Sequence, residues 1–203
     1  MRPDSLYNND RGVFMTTNEI RELIGDFPII AAIKDDSGLE QCLNSDCQIV
    51  FVLYGSINSI AGIMHRLKDG GKTVFVHSDL IEGLSAQEAA VDYLIAHTSL
   101  DGIISTKMPL LRFAKAKGLT TILRFFVIDS LALQNISKVK NERSVDFIEI
   151  LPGLMPKVTA SIVQATGKDV ITGGLITEKG DVMTSLDAGA CGVSTTNQKV
   201  WFM

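Results

Sequence analysis

The sequence lacks any apolar run approaching the roughly 18 to 20 residues of a membrane-spanning helix, and residues 1–15 lack the apolar centre of a signal peptide. Membrane insertion and secretion are therefore not expected. Cysteine is scarce: Cys42, Cys47 and Cys191 are an odd number, with no CxxC pair. A chain of 203 residues needs no disulfide staples, and Cys42 and Cys47 have no third and fourth ligand nearby. The expectation is unpaired thiols in a reducing, cytoplasmic setting, without metal or cofactor. Low-complexity segments, a second domain and the aromatic ribonucleoprotein motif of RNA-binding modules are also missing.

What is present is ordinary globular composition, 46% hydrophobic and 21% charged, enough for one substantial core. The net charge of −4 is unevenly spread. From Lys107 to Arg143, eight basic residues (Lys107, Arg112, Lys115, Lys117, Arg124, Lys138, Lys140, Arg143) stand against Asp129 and Glu142, a local +6. The remainder holds 11 basic and 21 acidic residues, or −10. Such asymmetry marks either a face for a phosphate-rich partner or a solvated helix surface.

Short β-branched runs recur every 20 to 25 residues from Phe27 onward, at 28–34, 49–55, 72–78, 102–107, 120–128, 147–151, 169–174 and 192–196. Helical periodicity fills Asn58–Lys68, Ala86–His97, Pro109–Lys117, Leu131–Asn141 and Met155–Thr166. Ser85 with Glu88 has the spacing of a capping box, Pro109 suits a first turn, and Gly70, Gly118, Gly167 and Gly189 fall where helices stop. Near-continuous apolar strands suit a parallel sheet covered on both faces. Eight strand-helix units favour a (β/α)8 barrel over an open doubly wound sheet. At about 22 residues per unit the barrel is lean beside the roughly 250 residues typical of the fold, so several helices must be short and some irregularity is expected. Thr17–Gly25 reads as a short helix, capped by Thr17 or Asn18, that closes the barrel's bottom. Residues 1–16 read as a mobile leader, and 17–203 as one barrel domain.

In a parallel barrel, chemistry gathers at the carboxyl ends of the strands. Lys34 ends the first, His77 and Asp79 the third and Lys107 the fourth, while Arg124 and Glu149 interrupt the apolar fifth and sixth. A charge inside such a run must be paired or face a wet cavity. Arg124 and Glu149 therefore either neutralise each other or touch a ligand. Gly173-Gly174 and Ser194-Thr195-Thr196 close the last two strands, where barrels often hold phosphate through backbone N–H groups and hydroxyls. The plain alternative is a tight turn and a polar strand end. His77 and Asp79, two apart on a strand, point to one side and with Glu149 offer either a cation site, which lacks a second histidine, or partners for ligand hydroxyls. Lys34 and Lys107 serve either as point charges beside an anion or, if their neighbours depress them, as Schiff-base lysines.

Seven segments taken together resemble the glycerol uptake operon antiterminator regulatory proteins: PIIAAIK (28–34), VFVHSDLIEGL (74–84), DGIISTK (101–107), the Arg124 strand running into IDSLAL (128–133), IEILPGLMP (148–156), VITGGLI (170–176) and GVSTTNQKVW (192–201). The resemblance implies a small barrel that binds glycerol 3-phosphate and then acts on the leader of a messenger RNA to prevent transcription termination: a sensor, not an enzyme. The family's polar motif positions fall on Lys34, His77, Asp79, Lys107, Arg124, Glu149, Gly173, Gly174, Ser194, Thr195 and Asn197. The resemblance leaves their individual roles unassigned; the strand-end chemistry places the phosphate on the GG and STT loops and the glycerol hydroxyls on Asp79 or Glu149. RNA would contact Arg112, Lys115, Lys117, Lys138, Lys140 and Arg143, the electrostatic footing available. Two positions depart from the family: Leu123 replaces a glutamine, weakening polar contact near the site, and Lys34 stands where arginine also occurs, keeping charge without a bidentate fork. The other readings are a barrel aldolase, isomerase or lyase acting on a small phosphorylated substrate, and a phosphate-ligand module that works through a protein partner. Trp201 caps the barrel or meets an interface, and whether the chain forms a homodimer is left open.

Overall fold

The computed structural model describes residues 15–203. Eight parallel strands, β1 (Ile29–Ile33), β2 (Ile49–Val52), β3 (Thr73–His77), β4 (Gly102–Ser105), β5 (Thr120–Phe126), β6 (Phe147–Leu151), β7 (Asp169–Gly173) and β8 (Gly192–Thr195), pair in sequence order and close as β8 meets β1. The barrel is complete, so an open doubly wound sheet does not describe it. Each strand lies within an expected run. The runs end sooner than expected because the chain leaves the ladder to form the top loops.

Among the described residues, eight helices accompany the strands: α1 (Thr17–Asp26), α2 (Asp36–Leu43), α3 (Ile60–Asp69), α4 (Glu88–His97), α5 (Met108–Ala116), α6 (Ser130–Ser137), α7 (Pro156–Thr166) and α8 (Lys179–Asp187). All are short, which is how the barrel fits the chain. α2 and α8 are helices that the periodicity did not announce. Ser85 does not cap α4; Gln87 holds the N-cap position, while the Ser85 carbonyl accepts from the Gln87 N–H. The segment preceding α4 instead turns to place Glu82 in an isolated bridge with Ser56.

α1 closes the bottom of the barrel. The helix starts at Thr17 as expected, but its cap is Thr16 rather than Thr17 or Asn18: the Thr16 hydroxyl accepts from the Glu19 N–H while Glu19 reaches back to the Thr16 N–H. Of the leader expected over residues 1–16, residues 1–14 lie outside the described residues. Ile20 and Ile24 join Ile30, Phe51, Phe75, Ile122 and Phe147 in one inner cluster. Arg21 Nε reaches Asp169 Oδ2 at 2.6 Å at the start of β7.

Strand alternation decides which residues line the interior and which meet the helices. Phe75 fills the lower interior because position 102 is glycine: a Cβ there would lie 2.3 Å from the Phe75 ring. The outward faces, among them Val50, Val74, Ile103, Leu123 and Ile148, pack under the helices in a second and larger cluster. Leu123 thus belongs to the helix-facing core and is 3% exposed. Its apolar side chain takes nothing from the mouth, because it points the other way from Arg124. Trp201 sits in a 3-10 turn, Gln198–Phe202, and donates from Nε1 to the Thr195 carbonyl at 2.9 Å, packing against the seam of β8 and β1.

Candidate functional site

Inward residues at the tops of β3, β5, β6, β7 and β8 are His77, Arg124, Glu149, Gly173 and Ser194. Glu149, fully buried, accepts from Arg124 Nε on Oε2 at 2.6 Å and from Ser194 Oγ on Oε1 at 2.6 Å. Arg124 and Glu149 are register partners across β5 and β6, so the pairing follows from the ladder itself. Only Nε of the guanidinium is engaged among the described residues. Its two terminal amino groups remain as donors beside the mouth.

Gly173 makes this arrangement compact. A Cβ at that position would lie 2.4 Å from Ser194 Oγ and 3.0 Å from Glu149 Oε1. Gly174 follows with φ of 75°, in the left-handed region, and turns the chain over the top of β7. The carbonyl of Gly174 accepts from the Gly153 N–H, which ties the loop after β7 to the loop after β6.

His77 is 2% exposed, and its Nδ1 is buried without a hydrogen-bond partner among the described residues. Burial, with the Arg124 charge second, pushes the imidazole down to about 4, so the ring is neutral near pH 7. An orphaned buried nitrogen is costly to leave unpaired, and it is available to a hydroxyl of a bound molecule.

Asp79 does not share the strand with His77. β3 ends at His77, and Asp79 lies in the 3-10 turn Ser78–Leu80. Its carboxylate accepts from Ser105 Oγ (2.7 Å), Ser78 Oγ (3.3 Å), and the Thr106 N–H and hydroxyl (both 2.8 Å). Burial opposes the charge, but the Thr106 N–H and the hydroxyls prevail and hold the carboxyl below its ordinary range. Asp79 therefore pins the end of β4, and its oxygens are occupied by Ser105 and Thr106, which sequence reasoning passed over. Thr195 plays a similar part: its hydroxyl donates to the Ile176 carbonyl at 2.8 Å and accepts from the Asn197 N–H. Asn197 in turn bonds the Thr177 carbonyl and the Lys199 N–H.

Lys34 and Lys107 stand exposed on the rim, above β1 and β4, without an ion-pair partner among the described residues. Phe126 was not expected in the site. It shares the inward parity of Arg124 at the top of β5 and is 50% exposed; the alternation 120, 122, 124, 126 is the signal that would have found it.

The basic stretch is less free than its sum suggests. Arg112 pairs with Glu142, Lys115 with Asp146 and Lys117 with Asp92, all within 2.8 Å. Lys138 donates to Asn135 Oδ1, while Lys140 and Arg143 are exposed and make no ion pair among the described residues. These three lie past the carboxyl end of α6, at the bottom of the barrel. The ligand candidates lie at the top.

Similarity to known proteins agrees with this architecture. The chain is 42% identical over 174 residues to the uncharacterised protein YgcP of Escherichia coli, covering 86% of this chain and 91% of that one. A glycerol uptake operon antiterminator regulatory protein from Listeria monocytogenes superposes with a TM-score of 0.81 at 32% identity, over 85% of this chain and 94% of the other. A glycerol uptake operon antiterminator-related protein from Thermotoga maritima gives 0.75 at 31% identity, over 87% and 99%. The family model for the glycerol-3-phosphate responsive antiterminator matches residues 29–201, nearly the whole barrel, and the chain belongs to that family.

Proposed function

We propose that the barrel is a cytoplasmic sensor, not an enzyme: it binds glycerol 3-phosphate at its mouth and, when loaded, binds a leader messenger RNA of glycerol-utilisation genes and prevents termination. The observation that carries the reading is the Arg124–Glu149–Ser194 cluster under Gly173, in which Arg124 keeps its terminal amino groups for an anion. The phosphate takes those groups, the backbone around Gly173 and Gly174, and the positive charge of Lys34. His77 Nδ1 and Glu149 receive the glycerol hydroxyls. Asp79 and Thr195 act as positioning residues, through the Ser105–Thr106 and Asn197 segments, and Lys107 closes the rim from β4. A Schiff-base lysine needs a desolvated amine, and both rim lysines are solvent-exposed point charges.

RNA contacts fall on Lys138, Lys140 and Arg143 first, since Arg112, Lys115 and Lys117 already hold carboxylates. α6 connects the two ends, with Asp129 capping it beside the mouth and Lys138 following its last residue. A ligand shifts such a protein only through differential affinity for two states, and α6 is the element whose position both ends sense.

The test is calorimetric titration with glycerol 3-phosphate, with glycerol and inorganic phosphate as separate controls. Saturable binding that needs both halves of the ligand, without turnover, supports the reading. No heat and no thermal shift at millimolar ligand overturns it.

A further inference from the structure

Three neighbouring loops at the mouth carry large apolar side chains in solvent: Phe126 (50% exposed), Ile128 (85%) and Leu131 (62%) after β5, Leu154 (45%) after β6 and Leu175 (68%) after β7. The loops form one surface. The Val127 N–H bonds the Leu151 carbonyl at 2.9 Å, and the Gly153 N–H bonds the Gly174 carbonyl at 3.1 Å. α6, which begins inside this patch, fully buries one residue, Ile136, of its eight. Leu175 is exposed and also adopts φ of 64°, a left-handed conformation that is unfavourable for leucine. Two separate costs are thus borne at one side chain that the barrel itself does not use.

We infer that this patch is the contact face for a second copy of the chain, related by a two-fold axis. Its charge decides the class of partner. Residues 125–134, 151–156 and 173–177 contain no lysine or arginine, and their one acidic side chain, Asp129, is engaged in capping Ala132 N–H at 2.8 Å. Nucleic acid is held first through its phosphates, and this patch offers them no cation. An uncharged apolar face, by contrast, is complementary to its own image, because a two-fold axis brings like against like without repulsion. Its extent fits as well. Five such side chains expose on the order of several hundred Å² of apolar surface, the scale at which a surface patch marks an interface. With a polar rim they approach the roughly 800 Å² per partner that a stable dimer buries.

The inference does not depend on the ligand. It is tested by sedimentation equilibrium of the full chain over a concentration series, without ligand, comparing the wild type with an Ile128→Asp/Leu131→Asp variant. The wild type is expected at twice the monomer mass and the variant at the monomer mass, a twofold fall, with an unchanged circular dichroism spectrum. Because both side chains are largely exposed, the substitutions leave the core intact. Met183→Asp, at a comparably exposed methionine on α8, is the control and should remain dimeric. A monomeric wild type at every concentration overturns the proposal, as does a dimeric double variant. Dissociation by Met183→Asp instead would move the interface to the seam between β8 and β1. A monomeric wild type whose retention of a mixed-sequence RNA is lost in the double variant would give the patch to nucleic acid.

Discussion

Arg124 meets Glu149 through a single nitrogen, Nε, at 2.6 Å, although a guanidinium beside a carboxylate can use two. Ser194 holds the second carboxylate oxygen, and the terminal amino groups of Arg124 are left without a partner among the described residues. Glu149→Ala leaves an uncompensated buried charge and should lower unfolding free energy by about 3 to 5 kcal/mol. Chemical denaturation measures it directly. Glu149→Gln keeps an acceptor and should cost clearly less; equal losses would show that shape, rather than charge, sets the pair.

Gly173→Ala places a methyl group against Ser194 Oγ and Glu149. We expect a loss of about 1 to 3 kcal/mol from overpacking, together with weakened ligand binding. Adding Ser194→Ala removes the nearest obstructing atom and should recover most of the stability. A Gly173→Ala protein with wild-type denaturation and affinity would remove the steric role given to this glycine.

His77 sets a pH dependence. Its folded value lies near 4 against an ordinary 6.5, so between those limits the unfolded chain binds a proton that the folded chain does not. Its contribution is therefore complete above pH 6.5 and is lost as pH falls toward 4, by about 3 kcal/mol in total. The difference between wild type and His77→Asn should show this slope when denaturation midpoints are measured across the window. A flat difference would place the imidazole in a wetter setting than its burial indicates.

Asp79→Ala releases Ser105 and Thr106 from the carboxylate that holds them. Loss of hydrogen bonds to a charged group, each worth about 1.5 to 3 kcal/mol, should loosen the end of β4. Affinity for glycerol 3-phosphate should fall about tenfold or more in calorimetry, and Asp79→Asn should retain part of it. Undiminished affinity in the alanine variant would separate this network from the site.

The thiols should be inert. Burial pushes Cys42 up to about 11 and Cys191 up to about 12, and raises Cys47 as well. Mass spectrometry after alkylation at neutral pH should find the folded chain unmodified and the urea-unfolded chain modified three times. Rapid modification of the folded chain would reveal an opening that the packing does not suggest.

The barrel was legible because its strands are nearly continuous apolar runs, whose spacing survives in any window of sequence. α2 was not, since it buries Gly38, Leu39 and Cys42 and so presents a single large apolar side chain to the core. α8 buries only Val182 and Ser185, too little to mark a period. Arg124 and Glu149 announced themselves as charges in apolar strands. Asp79 misled because the strand ends at His77, and a turn of one residue type or another leaves no periodicity to read. The pairing of Lys115 with Asp146, 31 residues away, is fixed by strand neighbours and invisible to local counting. The local +6 was therefore real as arithmetic and partly cancelled in space.

The plug made by Ile20 and Ile24 gives the barrel a blind end. On the proposed reading, a molecule seated on Glu149 leaves by the mouth through which it entered, since the inner layers below it are filled. Residence time is then set at the mouth. Changes at the base alter how long the vessel lasts, and changes at the rim alter how long it stays full.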